Sequence, residues 1–227
     1  MTGRHRNISS IIVAVDGPSG AGKSTVSRAV AENLGLTYID TGAMYRAVAL
    51  KAVNERIDSD DLEALGSVAE TAEISFKKVG DKNHTFLDGV DVTDRIRSPE
   101  ISLLTSKISA VPSVRQALTA KQQEMGKKGG VILDGRDIGT VVFPNADYKF
   151  FLDAKLEERG RRRHLERGGG SCDINNTIEE ISKRDNEDSS RKESPLTRAD
   201  DAIYIDSTNL KIEEVITVME KKITSDS

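Results

Sequence analysis

A short β-branched run, Ile11-Ile12-Val13-Ala14-Val15-Asp16, leads into Gly17-Pro18-Ser19-Gly20-Ala21-Gly22-Lys23-Ser24, and apolar residues at helical spacing follow at Val26, Ala29, Val30 and Leu34. The eight central residues satisfy G-x4-G-K-[ST], and a predicted strand before them with a predicted helix after them is the context in which that pattern binds phosphate. Glycines let successive backbone N–H groups curl around phosphate oxygens, and the helix start adds the positive end of its dipole. A glycine-rich turn without a ligand would need neither the lysine nor the strand. The expectation is a nucleotide-binding core in which Lys23 bridges the outer phosphates and Ser24 offers its hydroxyl to Mg2+.

Three further runs read as strands: Val131-Ile132-Leu133-Asp134, Tyr148-Lys149-Phe150-Phe151-Leu152-Asp153 and Ala202-Ile203-Tyr204-Ile205-Asp206. Each ends in Asp, with helical segments between, which argues for a parallel sheet covered on both faces. Asp134, at a strand end, is the candidate carboxylate for the Mg2+ shell, acting through water. Between Leu62 and Pro112 the pattern changes to short alternating runs separated by turn residues, as in Ile74–Val79, Thr85–Leu87 and Val90–Val92, and reads as antiparallel hairpins. The segment Glu157–Arg198 is highly charged and holds Gly168-Gly169-Gly170, which suits either a mobile lid or a solvated helical hairpin.

At 227 residues the chain is one large domain or a core with an insertion, at roughly 150 residues per domain. The expected boundaries are 8–61, 112–154 and 199–227 for the core, 62–111 for the insertion and 155–198 for the lid. A formal net charge of -4 with 37% hydrophobic residues fits a soluble globular protein. No apolar run approaches the roughly 20 residues of a membrane span, and residues 1–7 lead into a strand-like segment with no signal-peptide pattern. A cytoplasmic location is expected. Cys172, the one cysteine, can form no intrachain disulfide and no Cys-based zinc cage. Three separated histidines at 5, 84 and 164 disfavour a His metal site, and 4% aromatics leave few rings for stacking on single-stranded nucleic acid.

Arginine remains abundant. Arg46, Arg115, Arg136, Arg184 and Arg191 each lie among apolar and small residues rather than in a basic tail. Singly, each reads as a surface ion pair. Beside a phosphate loop they read as a cage for a second phosphate, because joining two polyanions in line needs several fixed cations, and the guanidinium fork holds phosphate oxygens in pairs. The run Arg161-Arg162-Arg163 is diluted by Glu157, Glu158 and Glu166, which weakens an RNA-binding reading. No N-K-x-D guanine-reading sequence occurs.

Three segments are similar to the signature segments of bacterial cytidylate kinases: Ile39-Asp40-Thr41-Gly42-Ala43-Met44-Tyr45-Arg46, Leu133-Asp134-Gly135-Arg136-Asp137-Ile138-Gly139-Thr140-Val141-Val142-Phe143-Pro144, and Arg184-Asp185-Asn186-Glu187-Asp188-Ser189-Ser190-Arg191. The resemblance runs from about Ile11 to Met219. It implies an α/β P-loop NTPase three-layer fold: a parallel five-stranded sheet, a small antiparallel inserted subdomain for the monophosphate, and a helical lid. It implies ATP or dATP as donor, bound by Gly17, Pro18, Ser19, Gly20, Ala21, Gly22, Lys23, Ser24 and Thr25, with CMP or dCMP as acceptor and Mg2+ held by Ser24 and Asp134. Asp40, Thr41, Arg46, Ser106, Arg115, Arg136, Asp137, Arg184, Asp188 and Arg191 would bind CMP. Among these, Ser106, Arg115 and Asp137 would face cytosine, Arg46 and Arg136 the phosphate, and Arg184 and Asp188 the pentose. Arg191 would close over the substrate. Lys23, Arg136, Arg184 and Asp188 would act at the reacting groups. One or two of Arg159, Arg162 and Arg163 would approach ATP, or else lie on a solvated helix, and Asp206-Ser207-Thr208 resembles the segment near adenine.

Base chemistry agrees. The exocyclic amine of cytosine needs an acceptor, which Asp137 supplies, whereas uracil would set a carbonyl against that carboxylate at a cost of about 1–3 kcal/mol. An Asp137 ion pair with Arg136 or Arg115 is the plainer alternative and is compatible with base contact. Positions 184, 188 and 191 share one face if helical, where a local Arg184–Asp188 pair is equally in order. Two other classes stand as alternatives: a small P-loop kinase with a hydroxyl acceptor such as shikimate, which would want one carboxylate rather than an arginine cage, and a nucleotide-dependent switch without small-molecule turnover. A monomer without nucleic-acid or membrane partners is expected.

Overall fold

The computed structural model describes residues 7–80, 82–168 and 173–225. Gly169, Gly170 and Cys172 lie outside the described residues, as do residues 1–6. The chain divides into two compact units, Met1–Ile39 with Gly126–Ser227, and Asp40–Met125.

The larger unit is built on a five-stranded parallel sheet in the order β2-β6-β1-β7-β8. Its strands are β1 (Ile12–Asp16), β2 (Thr37–Asp40), β6 (Val131–Asp134), β7 (Tyr148–Asp153) and β8 (Ile203–Asp206). The central strand β1 is paired in parallel with β6 from Ile12 opposite Val131 to Val15 opposite Asp134, and with β7 from Val13 opposite Tyr148 to Asp16 opposite Phe151. Strand runs without polar alternation are what a sheet covered on both faces requires. Val13, Val15, Ile132, Phe150, Leu152 and Ile205 form its core with Val26 and Val30 of α1 (Lys23–Leu34) and with Met219 and Ile223 of α8 (Ile212–Ser225).

β2 had not been read as a strand. It offers only Tyr38 and Ile39 as apolar residues, and its entry is set by a bond from Thr37 N–H to the Gly130 carbonyl at 2.8 Å, a partner far away in sequence. With it, all five parallel strands end in aspartate, at positions 16, 40, 134, 153 and 206.

After the sheet's fourth strand in sequence come α6 (Leu156–Glu166) and α7 (Ile174–Ser190). They pack so closely that a Cβ at Gly160 would lie 2.3 Å from Ile178 Cγ1. Asp173 caps α7 by accepting from Asn175 N–H at 3.0 Å. Residues 155–198, expected as a separate lid, fall within the larger unit.

The smaller unit holds a three-stranded antiparallel sheet, β3 (Ile74–Val79), β4 (Lys82–Leu87) and β5 (Val90–Asp91), where alternating runs and turn residues had indicated hairpins. It is wider than the expected 62–111. The helices α2 (Thr41–Asn54) and α5 (Pro112–Gly126) contribute buried Met44, Ala47, Val48, Leu50, Val114 and Leu118, and α3 (Leu62–Thr71) and α4 (Pro99–Ile108) contribute Leu65, Val68, Ile101 and Ile108. Helix starts follow local chemistry: Asp40 caps α2 through Ala43 N–H at 2.7 Å, Asp61 caps α3 through Ala64 N–H at 3.0 Å, and Ser98 precedes Pro99 at the start of α4. Among the described residues no helix is long and apolar enough to cross a membrane.

Candidate active site

The phosphate loop runs from the end of β1 to the start of α1. Gly17 adopts φ +143°, and a Cβ there would lie 2.0 Å from the Leu152 carbonyl oxygen, so only glycine lets the chain pass this close to β7. Gly22, at φ +91°, precedes α1, whose first residues are Lys23, Ser24 and Thr25. The loop's N–H groups thus meet a helix N-terminus, an arrangement that favours an anion. Lys23 is 6% exposed and its Nζ donates to the Pro18 carbonyl at 2.7 Å. Burial, reinforced by the charge of Arg136, pushes the Lys23 ammonium down to about 7, against the pull of Asp134, Asp185 and Asp16.

Ser24 Oγ donates to Asp134 Oδ2 at 2.6 Å, and the Tyr38 hydroxyl donates to Asp134 Oδ1 at 2.9 Å. Hydroxyl and carboxylate are hard oxygen donors, and Mg2+ takes few protein ligands beside water and phosphate. The pair fits that ion.

Helices α6 and α7 fasten onto the loop. Asp185 Oδ1 accepts from Ser19 N–H at 2.9 Å, Arg159 Nη1 donates to the Ser19 carbonyl at 2.9 Å, and the same Arg159 nitrogen is ion-paired with Asp185 Oδ2. Arg159 Nε also donates to the Ala154 carbonyl at 2.9 Å. Arg159, buried, therefore buttresses the phosphate loop and the turn between β7 and α6 rather than facing solvent. Arg162 donates to the Ser207 hydroxyl at 3.0 Å and its carbonyl at 2.7 Å, and Ser207 Oγ reaches the Asp153 carbonyl at 2.9 Å. Arg163 is ion-paired with Glu166 on the same helix at 3.1 Å.

Asp188, 2% exposed, sits at the centre of a cation cluster. Its Oδ2 accepts from Arg136 Nε at 2.8 Å and its Oδ1 is ion-paired with Arg191 Nη2. Burial would push this carboxyl up, but the charges of Arg136, Arg191 and Arg184 outweigh it and hold the group below its ordinary value. α7 ends at Ser190, so Arg191 lies past the helix at ψ 139° instead of on its face as the spacing had suggested, and it reaches back to Asp188 from there. Asp137, buried, begins the π-helical turn Ile138–Val142.

Asp40, Thr41, Arg46, Ser106 and Arg115 belong to the smaller unit. Arg46 Nη2 lies 3.3 Å from both Asp40 oxygens at the start of α2, while its buried Nε has no hydrogen-bond partner among the described residues. Thr41 is buried in the first turn of α2. Arg115, 4% exposed, donates from Nη1 to the Ser109 carbonyl at 3.0 Å and stands over the Tyr45 ring at 5.6 Å. Ser109 Oγ in turn donates to the carbonyl of half-buried Ser106 at 2.9 Å. Asp16, Tyr38 and Asp185 were missed from sequence as site residues. The recurring strand-end aspartate pointed to the first, Asp185 stands inside the third signature segment without a role assigned to it, and nothing local marked Tyr38.

A phosphate loop with its lysine, a serine hydroxyl against a strand-end carboxylate, and buried arginines define a P-loop phosphotransferase. The family model for cytidylate kinase matches residues 13–225. Among the curated relatives, cytidylate kinases of Citrifermentans bemidjiense and Geobacter sulfurreducens are each 52% identical, the first over 94% of this chain and 92% of its own, the second over 92% and 91%. The cytidylate kinase of Caldanaerobacter subterraneus is 50% identical over 90% of each chain. A solved structure of an uncharacterised protein from Eubacterium ventriosum shares the fold, with a TM-score of 0.55 at 13% identity, covering 95% of this chain and 99% of that one. The chain belongs to the cytidylate kinase family.

Proposed function

We infer that the protein transfers the γ-phosphoryl group of ATP or dATP to CMP or dCMP, giving CDP or dCDP, with the residues of the two units in the following roles. The carrying observation is the family match across residues 13–225. The loop Gly17–Thr25 holds the donor's phosphates, and Lys23 turns from the Pro18 carbonyl to the outer phosphates. Ser24 and, through water, Asp134 would hold Mg2+, which would supply positive charge against the donor's phosphates. Arg46 and Arg136 bind the acceptor phosphate. Asp137 accepts from the cytosine amine, Arg115 and Ser106 donate to the ring nitrogen and carbonyl, Arg184 and Asp188 face the pentose, and Asp40 and Thr41 complete the set that binds CMP.

An already ionised oxygen of the acceptor phosphate forms the new P–O bond in line as the bond from the γ phosphorus to the β–γ bridging oxygen breaks. ADP departs with that electron pair, and no strong general base is needed. Lys23, Arg136 and Arg191 neutralise the transferring group, while α6 and α7 exclude water that would otherwise accept it. We propose further that the protein works in the cytoplasm as a monomer, on two small nucleotides.

A coupled assay of ADP release with ATP, Mg2+ and each of CMP, dCMP, UMP, AMP and shikimate tests this assignment. Turnover should require an acceptor and be fastest with CMP or dCMP. Faster turnover with shikimate would favour the hydroxyl-acceptor kinase, and ADP release independent of any acceptor would favour the switch.

A further inference from the structure

β1 ends in a carboxylate that none of these roles uses. Asp16 is 5% exposed; its Oδ1 accepts from Ile138 N–H at 2.8 Å and its Oδ2 from Gly139 N–H at 2.7 Å. One residue earlier on the same strand, the Val15 carbonyl accepts from Gly135 N–H at 3.0 Å. The segment Gly135–Gly139 is therefore an arch with both feet on β1. Arg136 and Asp137 are its span. On the far side, the Asp137 carbonyl accepts from Val141 N–H at 2.9 Å and Val142 N–H at 3.2 Å, so the peptide joining Asp137 to Ile138 is pinned through both its C=O and its N–H.

Two adjacent N–H groups aimed at one side chain require two acceptor oxygens. Only a carboxylate supplies them at this length, because the amide of asparagine would present its own N–H to one of the two. The protein keeps the charge there although burial opposes it: burial pushes the Asp16 carboxyl up to about 6, the Gly139 and Ile138 amides pull it back, Asp137 pushes it further up and Lys23 draws it down. A group retained against that desolvation indicates that the arch must be held in place.

We propose that Asp16 is a positioning residue for acceptor specificity: by fixing the second foot of the Gly135–Gly139 arch it sets Asp137 where a cytosine amine can reach it. The proposal rests on the assignment of Asp137 to the base. Because Asp16 is bonded to Gly17, the same strand end carries the start of the phosphate loop and the anchor of the base-reading arch.

The test compares wild type, Asp16→Asn and Asp137→Ala as full chains, measuring kcat and KM for CMP, UMP and ATP together with thermal melting. Asp16→Asn should raise the KM for CMP about tenfold, as expected for loss of hydrogen bonds to a charged acceptor, and lower the CMP-to-UMP ratio of kcat/KM. The KM for ATP should stay within about threefold, since the phosphate loop's own contacts are unchanged. A lower melting temperature with the wild-type ratio and KM for CMP would make Asp16 merely structural and overturn the proposal. If Asp137→Ala keeps the preference for CMP, the base assignment itself fails. If Asp137→Ala loses the preference while Asp16→Asn keeps it, only the role of Asp16 falls. Should Asp16→Asn not fold, Asp16→Glu retains both oxygens but displaces the arch by about one C–C bond length, roughly 1.5 Å. It should shift the ratio in the same direction, and an unchanged ratio in that variant overturns the proposal equally.

Discussion

Lys23 and Asp188 are perturbed in ways that follow from what surrounds them. With its ammonium lowered to about 7, Lys23 is mostly neutral at pH 8, and a bound polyphosphate restores its charge. Nucleotide binding at pH 8 should therefore take up close to one proton, and at pH 6 almost none. Calorimetric titration in buffers of different ionisation enthalpy reads this directly, and equal uptake at the two pH values would contradict it. Asp188 is shifted the other way. A carboxyl whose folded value lies below its unfolded one stabilises the protein fully above the unfolded value, near 3.8, and loses that contribution as pH falls through the folded value. Asp188→Asn leaves Arg136, Arg191 and Arg184 without their shared counter-charge and should cost about 3–5 kcal/mol at pH 7. The gap from wild type should shrink on acidification below about pH 4. Urea denaturation at pH 7 and pH 3 checks both statements, and a gap independent of pH would contradict the second.

Among the elements, what could be read from sequence was whatever local pattern encodes. The phosphate loop, four of the five parallel strands and the hairpins of β3, β4 and β5 are each marked by β-branched runs, turn residues or glycines at set spacing. β2 was not legible, because four residues with two apolar ones become a strand only through pairing with distant residues. The boundaries of the smaller unit were not legible either, since burial of α2 and α5 is a tertiary matter that periodicity cannot assign. Of the candidate site, arginines and carboxylates in the three signature segments were visible, but their partners were not. That Asp185 reaches Ser19 across 166 residues, or that Tyr38 donates to Asp134, is set by the sheet and the packing of α6 on α7. One element-scale consequence is sharp. Gly17→Ala places a Cβ against the Leu152 carbonyl at φ +143°, which should destabilise the protein by at least about 3 kcal/mol. At this chain length that lowers the melting temperature by roughly 6–12 °C, and a melt within 2 °C or so of wild type would show that the loop can move away from β7.

At the scale of the whole molecule, a net charge of -4 conceals the distribution of the cations. The larger unit carries Lys23 and a set of arginines collected around one buried carboxylate; the smaller carries Arg46 beside Asp40 and buried Arg115. Both units hold cations suited to anionic ligands, as a kinase with two phosphorylated substrates requires. This chemistry should select cytosine monophosphates as acceptors. Purified protein given ATP, Mg2+ and an equimolar mixture of CMP, dCMP, UMP and AMP, with the products separated by ion-exchange chromatography, reads the ratio of kcat/KM values in one vessel. CDP and dCDP together should dominate and match the ADP formed mole for mole. A product dominated by UDP, or ADP accumulating without any nucleoside diphosphate from the mixture, would contradict it.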